Sequence, residues 1–165
     1  MALSAPAKNV AYWLLLSLIW STAQLHAQTC GPSAAHDNNL GRTTMEARQN
    51  VLGGTLTQCG CSPMTGFFRD GFCRTDDRDF GSHTVCAIVT EDFLKFTRSR
   101  GNDLSSPAPQ YGFPGLKAGD RWCLCVKRWK EAFDAGMAPS VVLEATDKAA
   151  LNVVTLDELL QHAVQ

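Results

Sequence analysis

Residues 83–89 read HTVCAIV, and residues 121–126 read RWCLCV. Each is a short apolar run with β-branched or aromatic residues, and each is followed at once by helix signals, so this pair of runs decides the fold. The first is expected to form a buried strand. Thr90 is placed to cap the helix after it, with Glu91 and Asp92 at the positive end, Arg98 and Arg100 at the negative end, and Gly101 as the stop. Phe93, Leu94 and Phe96 supply the apolar face of that helix. The second run is expected to form a strand that carries both Cys123 and Cys125 on one face, because side chains alternate along a strand. Trp129, Ala132 and Phe133 then recur at helical spacing as far as Gly136. Residues 140–146 (SVVLEAT) read as a third strand in which Glu144 is buried and paired. A short helical turn is expected over residues 148–151. Thr155 and Glu158 make a capping box ahead of Leu156, Leu159, Leu160 and Ala163, the stripe that packs a last helix onto the domain. Strands alternate with helices, but three or four strands are too few for a doubly wound sheet. The expectation is an α+β fold: a two-layer sandwich with helices on one face of a small sheet.

Two stretches around these elements are turn-rich. Residues 55–82 hold Gly60, Pro63, Gly66, Gly71 and Gly81, and residues 101–120 hold Pro107, Pro109, Pro114 and four glycines. Long irregular segments on a small sheet are where sites usually form. Phe67, Phe68, Trp122 and Trp129 read as core aromatics.

The chain has 165 residues, enough for one ordinary domain, and 45% are hydrophobic, as a globular fold requires. Its formal charge is −1, so no global basic field points to nucleic acid. Residues 1–27 are different in kind. Lys8 is their only charge, and residues 10–20 (VAYWLLLSLIW) are almost wholly apolar but too short to span a bilayer comfortably. This is the pattern of a signal or targeting peptide cut after Ala23 or Ala27. The alternatives are an uncleaved anchor and the first half of a two-part organelle signal. Residues 28–49 read as a linker, and residues 50–165 as a single domain that is soluble and off the membrane once the leader is removed. The expected location is the secreted space or the endomembrane lumen, with an organelle as the alternative.

Seven motifs occur in order: residues 50–54 (NVLGG), 65–71 (TGFFRDG), 81–87 (GSHTVCA), 99–105 (SRGNDLS), 112–125 (GFPGLKAGDRWCLC), 128–132 (RWKEA) and 141–146 (VVLEAT). On these the chain resembles the domain of unknown function 2237 family over about residues 50–165. The resemblance implies a compact α+β domain with its cysteines inside these motifs. It implies no reaction.

The chemistry therefore has to be sought in the side chains. Seven cysteines are present: Cys30, Cys59, Cys61, Cys73, Cys86, Cys123 and Cys125. An odd number leaves one without an intrachain partner. Cys59, Cys61, Cys123 and Cys125, with His83 as a substitute ligand, are a candidate zinc set. Cys86, Cys123 and Cys125 with His83 are candidates for thiol catalysis. Buried thiols and disulfides are the plainer alternatives, and pairing of Cys59 or Cys61 with Cys73 is the easiest to imagine. Arg69, Asp70, Asp103, Asp120 and Arg121 are candidate ligand-binding residues. With His83 they are expected to ring one cleft floored by Cys123 or Cys125, the alternative being a salt-bridged loop network. The expected function is a small-molecule or peptide binding module without a cofactor. The rivals are a thiol- or zinc-dependent enzyme and a structural interaction domain.

Overall fold

The computed structural model describes residues 48–164. The expected leader, most of the expected linker and Cys30 lie outside the described residues.

Three strands form one antiparallel sheet. They are β1 (Val85–Ile88), β2 (Arg121–Leu124) and β3 (Ser140–Val141), in the order β2-β1-β3. Between them lie helices α1 (Glu91–Ser99) and α2 (Val126–Asp134), and α3 (Leu156–Leu160) closes the chain. The fold is the expected small α+β domain. Thr90 caps α1 by accepting from the Phe93 amide, and Thr155 and Glu158 complete the capping box of α3.

Alternation along the strands separates two faces. Val85, Ala87, Trp122, Leu124 and Val141 point to the face that carries the helices, where they form one core with Phe93, Leu94, Val126, Trp129 and Leu159. Cys86 and Cys123 point to the other face and join Cys59, Cys73 and Ala145 in a second, smaller core. That face is covered by the turn-rich segment rather than by helices. Two disulfides staple it there, Cys59–Cys86 and Cys73–Cys123.

The structure corrects several sequence expectations. The second strand ends at Leu124, and Cys125 turns away to become the N-cap of α2, so it does not share a face with Cys123. The third strand holds only Ser140 and Val141. The chain then tightens into a 3-10 turn over Leu143–Ala145, which leaves Glu144 exposed rather than buried. Leu159 is fully buried, whereas Leu160, the next residue round α3, is exposed. Phe67 is also exposed, while Trp129 lies at the centre of the core. Among the described residues no helix is long and apolar enough to cross a membrane.

Candidate functional site

The two disulfides follow from strand register. Cys86 and Cys123 are direct cross-strand partners. The Cys86 amide donates to Thr146 Oγ1 at 3.1 Å, and the Cys123 amide donates to Thr65 Oγ1 at 2.8 Å, so neither amide points at the other strand. In such a non-hydrogen-bonded pair the side chains stand closest together. Each strand sulfur bonds to a cysteine of the covering segment, which brings the sulfurs of Cys59, Cys73 and Cys86 within 4.8 Å of one another. A metal site would need them as thiolates, and a disulfide sulfur is not one. The candidate zinc set does not assemble here: Cys59 and Cys123 are oxidised with other partners, and Cys125 lies outside the sulfur cluster. For the same reason Cys86 and Cys123 hold no nucleophilic thiolate in this form. Among the described residues a free thiol is at Cys125, half-buried at the start of α2. Cys61 sits in the covering segment, bridged to Met64.

Beside this sulfur layer, on the outer edge of β2, is a cavity of about 380 Å³. Phe67, Tyr111, Phe113 and Trp122 give it aromatic walls, and Cys123 contributes to its lining. Arg69, His83 and Asp103 are its charged or titratable members. Each is placed by a local device. Gly66 lies at φ +89°, and a side chain there would meet the Phe72 carbonyl at 2.3 Å, so only glycine makes the turn that carries Phe67 and Arg69. Arg69 is itself at φ 55°, a conformation that costs energy for a side chain of its kind. Its guanidinium lies over Trp122, 5.0 Å from the ring centroid, and donates to the Met64 carbonyl at 3.3 Å.

His83 is the most firmly positioned group. Its Nδ1 lies 2.6 Å from Asp79 Oδ1, and its backbone amide donates to Asp79 Oδ2 at 2.8 Å. Asp79 also accepts from Thr75 Oγ1 at 3.0 Å, and its side chain is 0% exposed against 38% for His83. The imidazole stacks on Phe67 at 18°. It also packs so tightly on Gly81 that a Cβ there would come within 2.6 Å of the ring. An ionised carboxylate only accepts, so the Nδ1 proton points at Asp79, and in the neutral form of the ring the lone pair lies on Nε2. Among the described residues Nε2 makes no hydrogen bond.

The sequence-derived cleft residues divide. Arg69, His83 and Asp103 share the aromatic cavity with Cys123. Asp120 and Arg121 line a separate groove of about 860 Å³ between residues 59–63 and residues 114–121. Asp70 lines neither, and pairs with Arg74 at 2.6 Å. The carboxylate of Asp103 is engaged in its own turn. It accepts from the Ser105 and Ser106 amides and from Ser106 Oγ, and it pairs with Arg98. The Ser106 amide first, then its hydroxyl, hold its pKa below the usual aspartate value. Asp120 likewise caps a turn by accepting from the Lys117 amide. Among the described residues neither Arg69 nor Arg121 forms an ion pair with any of these aspartates, so the alternative of a salt-bridged network joining them is not what the loops form.

A family model described as an uncharacterized protein conserved in bacteria, DUF2237, matches residues 49–163. The chain belongs to the DUF2237 family. The match spans the sheet, the helices, both disulfides and the aromatic cavity, so the candidate site is part of the DUF2237 domain itself. No curated protein matches the sequence.

Asp79 escaped sequence reading. Its only trace there is an aspartate four positions before the histidine, inside a run already crowded with Asp76 and Asp77. Tyr111 and Phe113 escaped too, since they belong to an irregular segment whose fold is set by the Ala108–Phe113 bridge.

Proposed function

We propose that this domain binds a small organic molecule, or one side chain of a peptide, in the aromatic cavity around His83. The observation that carries this reading is convergence. Four aromatic residues and three polar groups, Arg69, the oriented imidazole of His83 and the Arg98-paired Asp103, line one space of about 380 Å³. Ligand sites have this composition, mostly apolar with a few fixed polar groups, and this order of size. The polar groups are also held in place before any ligand arrives, which lowers the cost of binding. The domain acts in an oxidising compartment, outside the cytosol. The two buried disulfides are compatible with that, and the apolar leader-like segment supports it.

The test is fragment binding to the oxidised protein, followed by NMR. Benzoate, phenol and indole derivatives are expected to shift the signals of His83, Trp122 and Tyr111 together and to leave Trp129 unmoved. Trp122→Ala should remove the response. Shifts confined to the groove beside Asp120 and Arg121 would sink this assignment of the site. N-terminal sequencing of protein from its native cells checks the compartment, where a start after Ala23 or Ala27 is expected.

A further inference from the structure

The polar groups of the cavity restrict what it can hold. Arg69 presents donors only, and its charge has no carboxylate partner among the described residues. The carboxylate of Asp103 on the same wall is balanced by Arg98, so the uncompensated charge on the lining is the guanidinium. In its neutral form His83 presents the opposite function, since Nδ1 then donates to Asp79 and leaves Nε2 as an acceptor. The remaining walls are the rings of Phe67, Tyr111, Phe113 and Trp122. A ligand that satisfies this lining needs an aromatic or bulky apolar body, an anionic oxygen for Arg69, and a hydrogen-bond donor of its own for His83.

We infer that the cavity recognises aromatic carboxylates that carry a hydroxyl or N–H group, the class of aryl hydroxy acids and N-substituted aromatic amino acids. This rests on the binding function proposed above and names the chemistry of the same site. A carboxylate facing a guanidinium forms charge-assisted bonds about twice as strong as neutral ones. A site built to hydrogen-bond a ligand hydroxyl also penalises an analogue that lacks it, because a desolvated acceptor is left without a partner. Asp79, which touches no ligand, acts as a positioning residue: it fixes the tautomer and therefore which kind of group His83 selects.

Three probes test this on the oxidised full chain by isothermal titration calorimetry: 3-phenyllactate, 3-phenylpropanoate and 3-phenylpropane-1,2-diol. The first has both functions, the second lacks the hydroxyl, and the third lacks the carboxylate. The expected order places 3-phenyllactate tightest, with each of the others weaker by about tenfold, the loss of one charged or buried hydrogen bond. Arg69→Ala should abolish the advantage of 3-phenyllactate over the diol and keep its advantage over 3-phenylpropanoate. His83→Phe, which removes the acceptor and keeps a ring against Phe67, should do the reverse. Equal affinity of the acid and the diol for the unaltered protein would overturn anion recognition and leave an aromatic-binding cavity standing. Equal affinity of 3-phenyllactate and 3-phenylpropanoate would overturn the role of His83. Binding of none of the three would remove the inference, and failure of the simpler aromatic fragments as well would remove the binding function beneath it.

Discussion

The hydroxyls of Thr65 and Thr146 stand where a ladder normally places a backbone group. Both residues are fully buried. Thr146 Oγ1 accepts from the Cys86 amide at 3.1 Å and donates to the Val142 carbonyl at 2.9 Å, so one hydroxyl bridges two strands where the ladder would otherwise lack a bond. Replacing it with valine keeps the shape and leaves the buried Cys86 amide without an acceptor, while the Val142 carbonyl still accepts from the Ala145 amide at 3.1 Å. Thr146→Val is expected to lower stability by about 1–3 kcal/mol, read by chemical denaturation of the oxidised protein. An unchanged unfolding free energy would mean that water reaches this edge. This is also the scale at which the sequence was least legible. A threonine beside a strand looks like any β-former, and nothing in its neighbours says that its hydroxyl completes a ladder 60 residues away. Asp79 was opaque for the same reason. Its importance lies in being buried against His83, and burial of one aspartate in a run of three is decided by packing. His83 and Arg69 could be singled out because each stands beside a strand end or in a tight turn, where chain geometry alone brings side chains to a site, and Cys123 because alternation along its strand sets the face it lies on.

Helices were the elements most open to reading, because caps and periodicity are local. Thr90, Thr155 and Glu158 do what their spacing announces. Strand ends were less open: the alternation that reads RWCLCV as one strand is equally satisfied when the helix begins at Val126, and the Val126 amide bond to the Ser82 carbonyl at 3.0 Å settles which applies. The same tertiary control distinguishes the leucines of α3. Leu159→Ala, at a fully buried position, should cost about 2–5 kcal/mol, whereas Leu160→Ala, on the exposed side, should stay within about 0.5 kcal/mol. Thermal or urea unfolding of the two variants checks this, and equal losses would place the helix in a different orientation. The capping box also has a pH signature. The Thr155 amide, followed by Lys130 and the Thr155 hydroxyl, holds the Glu158 carboxyl below the usual glutamate value. A carboxylate with a depressed folded-state pKa contributes stability that is present above its unfolded value and lost as pH falls through the folded one. The unaltered protein should therefore lose stability on acidification below about pH 4 more steeply than Glu158→Gln does. Parallel pH profiles of the two proteins would show that the box adds nothing.

The molecule as a whole has two unequal halves on one sheet. The helical face has a conventional apolar core and needs no crosslink. The opposite face is covered by residues 55–82, which contain no strand or helix of their own beyond isolated bridges and bury mainly cysteine sulfur. Among the described residues two disulfides staple this layer to the sheet, with sequence separations of 27 and 50. Loop-closure entropy assigns them about 3.5 and about 4 kcal/mol taken singly, and less than the sum together, because the closed loops overlap. The pairing was hidden from sequence because each bond joins a loop to the middle of a strand, whereas proximity along the chain favours Cys59 or Cys61 with Cys73. The consequence reaches the site. Phe67, Arg69 and His83 all come from the stapled side, and Cys123 lies beneath them. Reduction should therefore release the covering layer and dissolve the cavity before the helical core melts. Titrating the protein with a phosphine reductant should lower the melting temperature and abolish fragment binding, while the helix signal in far-ultraviolet circular dichroism persists at low temperature. Cys125→Ser should leave all three readings as they are in the unaltered protein, since that thiol belongs to neither staple. Full reduction, verified by counting thiols, with binding and melting temperature both unchanged would show that the covering layer holds itself in place and that the disulfides are incidental to the site.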